Sequence, residues 1–457
     1  MNTDTICALS SAPGRAGIAV VRISGPDAFR LAREVFIPPT VGDAAAARRA
    51  VLGRIRDPRS EVEIDQGLLT PFPAPSSYTG EDVVEISLHG SPVLVEALLD
   101  ALCACGARLA EPGEFTLRAF LRGRLDLAQA EAVRDVIEAK TLFQAQVAAR
   151  QREGELSRRL QPPKQLLIDI IVQLESAVEF VEEDLPVESR ARLALKLEAL
   201  QAEIDGWIRS FRRGRLVREG FSLAIVGRTN VGKSSLFNAL LAEERSIVTE
   251  LPGTTRDLVS ESTSIEGIPV RLLDTAGVRC AGDRVEQLGV DRSFGAMADA
   301  DALLLVVDGS EARVFEDDLV RERVGQLSFL VVFNKADLEQ AWREEERDRF
   351  AAGRLWAVVS ARTGIGVEGL RNMILRHLFQ GAPQREDFVV TNLRHARCLE
   401  AAQEALSGAG AALRRGLSEE FALVDLHAAL GKLGEITGET TVEDLLSEIF
   451  SRFCIGK

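Results

Sequence analysis

The chain has 457 residues, of which 46% are hydrophobic and 27% charged, with a formal net charge of −14 and six cysteines. This composition is typical of a folded protein of about two to four domains, and it excludes a disordered chain or a small disulfide scaffold. The acidic balance excludes a broad basic surface, so an RNA partner would have to meet a local basic patch or a more basic protein.

The N-terminal residues lack the basic and apolar segments of a secretory signal, and no apolar run approaches the ~20 residues of a membrane span. The cysteines form no CxxC pair, which predicts reduced thiols. Cys103 and Cys105 lie at an apolar helix end, "ALLDALCACGARL", and are predicted to be packing residues. The sequence therefore predicts a cytoplasmic protein without a membrane partner.

Three kinds of pattern follow one another along the chain. Short β-type runs such as "GIAVVRISG" and "EDVVEISLHG" alternate with helical stretches, which predicts an α+β domain over residues 1–118. A helical period follows, with predicted breaks near Pro162-Pro163 and Pro186. Strands then alternate with helices over residues 216–382, the pattern of a parallel α/β domain, and helices return up to the C-terminus. We therefore predict an α/β domain inserted into a helical domain formed by residues 119–215 and 383–457.

A phosphate-binding loop opens the α/β domain. "GRTNVGKS", Gly227 to Ser234, matches GxxxxGK[ST], follows the strand "FSLAIV" and opens a helix. Its glycines let backbone N–H groups surround phosphate oxygens. Lys233 is predicted to reach the β- and γ-phosphates and Ser234 to bind Mg²⁺. The alternative is a structural glycine-rich turn.

Three further motifs predict that the nucleotide is GTP. "NKAD", Asn334 to Asp337, follows the apolar run "LSFLVVF", and the Asp337 carboxylate can accept hydrogen bonds from the guanine N1–H and amino group. Adenine offers no matching donors on that edge. "SAR", Ser360 to Arg362, supplies backbone N–H to guanine O6. "DTAG", Asp274 to Gly277, would hold the water shell of Mg²⁺ and sense the γ-phosphate.

The catalytic arrangement differs from that of Ras-like GTPases, because Val278 stands where those enzymes place a glutamine that orients water. "ELPGTTRD" offers Thr255 as a Mg²⁺ ligand and Thr254 beside the phosphates. Asn230 has an amide oxygen for a monovalent cation. Glu286 is the candidate group for positioning water, and the alternative is a solvated helix residue.

The terminal "FCIGK" leaves three interpretations of Cys454. Lipidation is disfavoured, because glycine is not the expected aliphatic residue, lysine is unusual at the end and no polybasic run precedes it. A buried structural cysteine is the second interpretation. It is weakened because chain termini usually fray rather than bury themselves. The third interpretation is a chemical group carried on the tail.

Taken in order, "PGRAGIAVVRISG", "YTGEDVVEISLHG", "PGEFTLRAFLRGRLDLAQAEAV", the GTPase motifs and "EITGETTVEDLLSEIFSRFCIGK" resemble the family of tRNA modification GTPases called MnmE or TrmE over the full length. The resemblance implies an N-terminal domain that dimerises and binds a tetrahydrofolate derivative, either 5-formyl- or 5,10-methylene-tetrahydrofolate. It also implies K⁺-stimulated GTP hydrolysis. With the flavoprotein MnmG, such proteins place an aminomethyl or carboxymethylaminomethyl group on C5 of the wobble uridine of certain tRNAs.

The resemblance also implies roles for individual residues. Glu286 would orient water, and Cys454 would assist the one-carbon chemistry as nucleophile or acid–base group. Arg124 departs from the lysine expected at its position, which keeps the charge but changes the geometry. The folate-binding residues would be Arg22, Glu85, Arg124 and Lys457, and the potassium ligands Asn230, Thr249, Leu251 and Thr254. The predicted GTP-binding residues are Gly227, Asn230, Val231, Gly232, Lys233, Ser234, Ser235, Thr249, Thr254, Thr255, Asp274, Thr275, Ala276, Gly277, Asn334, Lys335, Asp337, Ser360, Ala361 and Arg362.

A second hypothesis remains open at this point. The chain would then be a GTP-gated RNA-binding or ribosome-assembly factor of the same GTPase group. Such factors usually carry a basic RNA-binding appendage, and this acidic chain shows none.

Overall fold

The structure is a computed structural model that describes residues 4–38, 48–179, 189–241, 260–274, 300–325, 327–379, 390–440 and 443–456. The chain divides into two compact units. The first comprises Met1–Arg134, Gln151–Arg158 and Gly434–Lys457, and the second comprises Asp135–Arg150 and Arg159–Leu433.

The described helices are numbered along the chain. They are α1 Ala28–Val35, α2 Pro92–Ala104, α3 Glu114–Leu121, α4 Leu127–Glu138, α5 Leu142–Arg152, α6 Glu155–Glu179, α7 Arg190–Glu219, α8 Lys233–Leu241, α9 Phe315–Arg323, α10 Glu344–Ala351, α11 Val367–Phe379, α12 Leu393–Arg414, α13 Glu419–Thr437 and α14 Glu443–Ser451. In these described parts of the chain, none of the helices combines the length and the apolar character that a membrane crossing requires.

The first unit is built on a seven-stranded sheet with the strand order β3-β4-β5-β6-β2-β1-β7. Neighbouring strands are antiparallel except β1 and β7, which are parallel. Together with α1 and α2, the sheet confirms the α+β pattern of the N-terminal residues. Its strands are β1 Ile6–Leu9, β2 Ala16–Ser24, β3 Phe36–Ile37, β4 Val51–Arg56, β5 Glu63–Phe72, β6 Val83–Gly90 and β7 Arg108–Leu109.

The two faces of this sheet differ in character. Val21 and Ile23 of β2, with Ile86 of β6, belong to a buried cluster that includes residues of α1 and α2. Because successive strand residues point to opposite faces, the intervening Arg22 and Glu85 lie on the other face, where the strand register pairs them. Cys103 and Cys105 are half-buried against the same cluster, in line with the predicted packing role.

The second unit contains a six-stranded sheet with the order β13-β12-β11-β8-β10-β9. All neighbouring strands are parallel except β9, which pairs antiparallel with β10 at the edge. This confirms the parallel α/β pattern in the middle of the chain. The strands are β8 Phe221–Val226, β9 Ser260–Ile265, β10 Ile268–Asp274, β11 Ala302–Asp308, β12 Phe329–Asn334 and β13 Trp356–Val358.

The central strands of this sheet are buried on both faces, as parallel strands usually are. Leu223 and Ile225 of β8 pack in one cluster with residues of α8 and α11. Ala224 and Val226 of the same strand pack in a second cluster, which includes Phe350 of α10. The core therefore holds β8 rigidly, and β8 carries the loop that begins at residue 227.

The predicted break at Pro162-Pro163 is wrong, because α6 runs through both residues. An interior proline costs a helix roughly 3 kcal/mol by removing a hydrogen bond and crowding the preceding turn. Pro163 is buried, and Leu160 and Leu167 on either side of it are fully buried. Burying such side chains contributes about 2 kcal/mol each, which offsets the cost. Pro186 lies outside the described residues.

Further helical structure lies on either side of the α/β sheet in sequence. The 30-residue α7 packs along α12. Gly214 makes a close approach possible, because a Cβ there would lie 2.1 Å from the carbonyl oxygen of Val390, just before α12. The sequence predicts these helices from their period, and the structure confirms them.

Candidate functional site

The predicted phosphate-binding loop connects the carboxyl end of β8 to the start of α8. Gly227 has φ +153°, and a Cβ there would lie 2.3 Å from the carbonyl oxygen of Val306. Gly232 has φ +96°, and its Cβ would lie 2.3 Å from Nδ2 of Asn334. Both positions therefore favour glycine, since an added side chain would collide with the backbone of β11 at Gly227 and with the Asn334 amide at Gly232.

The loop holds its functional side chains in defined places. Lys233 Nζ donates to the carbonyl oxygens of Gly227 and Arg228, at 2.9 and 2.6 Å, so the ammonium lies across the loop. Asn230 has φ +63° and an exposed side chain. Val231 is buried and anchors the loop, whereas Ser234 and Ser235 in the first turn of α8 are exposed. A helix N-terminus with two accessible hydroxyls is suited to phosphate and Mg²⁺.

The predicted base-recognition residues meet this loop at the same sheet edge. Asn334, the last residue of β12, donates from Nδ2 to the Val231 carbonyl at 2.9 Å and accepts from Ala361 N–H at 3.0 Å. Its amide therefore ties the "NKAD" segment to the phosphate loop on one side and to "SAR" on the other. Arg362 is exposed.

The Asp337 carboxylate is exposed and accepts a hydrogen bond from Ser360 Oγ at 2.6 Å. This bond holds the pKa of Asp337 below its ordinary value, so the group is ionised at neutral pH. A carboxylate fixed in this way, with accepting capacity left over, can receive the two donors of a guanine edge.

Asp308 also lies at this edge, although it belongs to none of the predicted motifs. It ends β11, is buried, and receives Lys335 Nζ at 2.5 Å. Burial opposes its ionisation, but the bonds from Lys335 and Ser310 outweigh this effect and hold its pKa below the ordinary value. Lys335 itself has φ +67°, and the ion pair fixes its stem beside the base-recognition residues. The signal was available, since an aspartate after "ALLLVV" ends a strand as Asn334 does.

The remaining predicted nucleotide-binding residues lie at the edge of the described residues or outside them. Asp274 ends β10, at the edge where β8, β11 and β12 also end, and its side chain is not described. The predicted residues outside the described ranges are Thr249, Leu251, Thr254, Thr255, Thr275, Ala276, Gly277, Val278 and Glu286.

The first unit brings two of the predicted folate residues together. Arg22 Nε and Nη2 both donate to Glu85 Oε1, at 3.0 and 2.7 Å. The guanidinium lies 5.4 Å from the Tyr78 ring centroid and 5.7 Å from that of Phe115. Arg22 is thus held against two aromatic faces with a carboxylate at its side, a charged and hydrogen-bonding surface on the face of the sheet opposite α1 and α2.

Arg124 lies at the neighbouring loop. It is exposed, and its Cγ lies 3.2 Å from the position of a Cβ on Gly80, two residues beyond Tyr78. Ion pairs support this loop, and no sequence motif indicates them. The buried Glu81 carboxylate accepts from Ser24 Oγ at 2.8 Å, from Arg118 at 3.2 Å and from Arg122 at 2.8 Å. These contacts fix the segment that carries Tyr78.

The C-terminal tail packs on the same unit. Phe453 is buried in a cluster with Phe450 and Leu127. Gly113 N–H donates to the Cys454 carbonyl at 3.4 Å, and Ser10 Oγ donates to the Gly456 carbonyl at 3.1 Å. The Cys454 side chain is exposed.

The buried-cysteine interpretation of Cys454 is therefore wrong, because the neighbouring phenylalanine supplies the packing instead. The tail segment runs beside the end of β1, whose Ala8 is the strand partner of Arg22. Lys457 lies outside the described residues.

The comparisons with known proteins cover both units. A family model described as "MnmE helical domain" matches residues 127–454, and one described as "GTP-binding protein TrmE N-terminus" matches residues 5–124.

Full-length relatives carry the same name, tRNA modification GTPase MnmE. The protein of Koribacter versatilis (strain Ellin345) is 45% identical over 461 residues, 99% of either chain. That of Thermoanaerobacter sp. (strain X514) is 42% identical over 457 residues, again 99% of either chain. That of Aquifex aeolicus (strain VF5) is 42% identical over 456 residues, covering 99% of this chain and all of the other. By these matches the chain belongs to the MnmE family of tRNA modification GTPases.

Proposed function

We propose that this GTPase acts with the flavoprotein MnmG in the cytoplasm to place an aminomethyl or carboxymethylaminomethyl group on C5 of the wobble uridine of certain tRNAs. A tetrahydrofolate derivative, 5-formyl- or 5,10-methylene-tetrahydrofolate, supplies the carbon unit. The observation that carries the proposal is the meeting of the phosphate loop, Asn334, Asp337 and Ser360 at one sheet edge, in a chain that matches MnmE proteins from end to end.

In the proposed nucleotide site, the backbone of the phosphate loop and Lys233 bind the phosphates. Asp337 accepts from the guanine N1–H and amino group, and the backbone of the segment Ser360 to Arg362, held beside Asp337 by the Ser360 hydrogen bond, donates to O6. Ser234 and Thr255 bind Mg²⁺. A wrong base would leave the Asp337 carboxylate without its donors, which is why such a site discriminates strongly.

Hydrolysis is proposed to be stimulated by K⁺, as the family resemblance implies, in a site where Val278 cannot orient water as a glutamine does. Asn230 supports this assignment, since its left-handed backbone conformation leaves the side-chain amide exposed on the loop. Thr249, the Leu251 carbonyl and Thr254 complete the proposed potassium ligands. Glu286 is the proposed group that positions water.

The proposed folate site consists of Arg22, Glu85, Arg124 and Lys457. The Arg22–Glu85 pair fits a reduced pterin, because only one carboxylate oxygen of Glu85 is used by Arg22 and the other can accept from the pterin amino group and ring N–H. Cys454, exposed on the tail, is the proposed nucleophile or acid–base group.

The proposal includes a homodimer formed through the N-terminal domain. It also includes the division of the chain into three domains that the sequence predicts. That division consists of an N-terminal domain over residues 1–118, a helical domain over 119–215 and 383–457, and a G domain over 216–382.

The nucleotide part is tested by GTP hydrolysis in KCl and in NaCl at equal ionic strength, together with the Asp337→Asn variant. We expect faster hydrolysis in KCl. Because an amide can donate where a carboxylate only accepts, Asp337→Asn should lose GTP affinity and gain affinity for xanthosine triphosphate. Equal rates in the two salts would remove Asn230 from the mechanism, and unchanged base preference would remove Asp337.

A further inference from the structure

Tyr78 stands at the centre of the proposed folate site. Its hydroxyl hydrogen-bonds Thr116 Oγ1 at 2.9 Å, and its ring packs against a cluster that includes Ile6 and Phe115. Burial raises the pKa of Tyr78, whereas the positive charges of two arginines, Arg22 and Arg152, act in the opposite direction. Arg22 approaches the ring from β2, and Arg152 comes from a different part of the chain.

Arg152 ends α5, at the turn into α6, and the turn is firmly held. Its carbonyl accepts from Gln129 Nε2 at 2.9 Å. Gln129 is oriented in turn by Asp126, whose N–H donates to Gln129 Oε1 at 3.0 Å and whose Oδ1 accepts from Gln129 N–H at 2.8 Å. Asp126 follows Arg124 by two residues, so the turn is anchored beside the loop that presents Arg124.

The arginines around Tyr78 differ in whether a carboxylate pairs with them. Arg22 is neutralised by Glu85 and Arg122 by Glu81. Arg124 and Arg152 are exposed, and within the described residues neither has an ion-pair partner. One uncompensated guanidinium group thus belongs to the Arg124 loop and one to the turn that Gln129 and Asp126 anchor beside it, in a chain of net charge −14.

We propose that Arg152 is a further binding residue of the folate site and that, with Arg124, it receives the carboxylates of the glutamate tail. The inference rests on the proposed folate function and deepens it. Tetrahydrofolates consist of a pterin, a benzoyl group and a glutamate with two carboxylates. Arginine binds carboxylates with paired, charge-assisted hydrogen bonds. The Arg22–Glu85 pair then serves the pterin end, and the two unpaired arginines serve the anionic end.

The test measures equilibrium binding of 5-formyl-tetrahydrofolate and of the primary amide of 5-formyl-tetrahydropteroate, here called pteroate, which lacks the glutamate and every carboxylate, to the full chain. Arg152→Ala should weaken folate binding about tenfold, since a charged hydrogen bond is lost, while pteroate binding stays within about twofold of wild type. Arg33→Ala is the matched control, because it removes an exposed arginine from α1, on the other face of the sheet.

Three results would overturn the inference. Unchanged folate affinity in Arg152→Ala would remove the residue from the site. An equal loss for folate and pteroate would indicate a structural effect of Arg152, and an equal loss in Arg33→Ala would indicate net charge alone. If wild type binds neither compound, the proposed folate function fails with it, which is distinguishable from failure of Arg152 alone.

Discussion

Gly232 lies where the phosphate loop touches the strand that carries Asn334. With φ +96° and only 2.3 Å between a Cβ and Asn334 Nδ2, Gly232→Ala would strain the loop and push Asn334 away from the Val231 carbonyl. We expect GTP and GDP affinity to fall by about tenfold or more. Equilibrium binding of a fluorescent guanine nucleotide measures this.

Gly369→Ala is the control for this substitution, because Gly369 lies in α11 of the same domain and a Cβ there meets no atom within 4 Å. It should leave affinity unchanged. Equal affinity in Gly232→Ala and wild type would contradict the described geometry of the loop.

The ion pair of Asp308 should make the stability of the domain depend on pH. Because its pKa is lower in the folded protein than its ordinary value of 3.8, the ionised carboxylate stabilises the fold at neutral pH, and this contribution is lost as pH falls below about 4. Asp308→Asn should cost about 1–3 kcal/mol at pH 7, and the gap to wild type should narrow at pH 3.5. Urea unfolding followed by tryptophan fluorescence, to which Trp342 and Trp356 of the same domain contribute, measures both.

Asp318→Asn is the matched control, since Asp318 forms a partly exposed pair with Arg313. Exposed ion pairs contribute little to stability, so the free energy of unfolding of Asp318→Asn should differ from that of wild type by under about 1 kcal/mol at either pH. A gap for Asp308→Asn that stays constant with pH would contradict the assigned ionisation.

At the scale of elements, α14 and the tail depend on Gly113 at the start of α3. Gly113 has φ +70°, and a Cβ there would lie 2.6 Å from the Phe450 carbonyl oxygen and 3.1 Å from Phe453 Cβ. Gly113→Ala should therefore loosen the tail and speed amide hydrogen exchange over residues 446–456 by about tenfold.

Gly123→Ala separates backbone strain from steric contact. Gly123 has nearly the same conformation, φ +66°, but nothing lies within 4 Å of its Cβ position. Exchange in the tail should match wild type in this variant. Equal acceleration in both variants would show that strain alone, and not the contact with Phe450, governs the tail.

The elements also show what local sequence can and cannot predict. The strand before the phosphate loop and the one before "NKAD" were predictable, because apolar runs and glycine-rich turns specify them within a few residues. The continuity of α6 through Pro162 and Pro163 was not, since the burial of Leu160 and Leu167 offsets the local penalty.

In the whole molecule too, some features could be predicted from local sequence and others could not. The phosphate loop, Asn334 and Asp337 were predictable as a site because parallel strands end at a common edge. The Asp308–Lys335 pair and the Glu81–Arg118 pair join residues 27 and 37 positions apart, and only the fold brings them together. The proposed role of Arg152 was not predictable for the same reason, since Gln129, which holds its carbonyl oxygen, lies 23 positions away.

The net negative charge of the chain limits how it can bind tRNA. A chain of net charge −14 is poorly suited to hold RNA through a broad surface, so a local basic patch or a more basic partner is the expected route to tRNA. The acidic balance therefore favours tRNA chemistry over regulated RNA binding as the role of this chain.

The most direct measurement is nucleoside mass spectrometry of total tRNA from cells that lack this protein. The same cells are then measured after re-expression of wild type or of Cys454→Ser. We expect the aminomethyl-type modification at C5 of the wobble uridine to disappear without the protein. Wild type should restore it, and Cys454→Ser should not, although its GTP hydrolysis is retained. Unchanged modification in cells without the protein would contradict the account, and restoration by Cys454→Ser would remove the thiol from the chemistry.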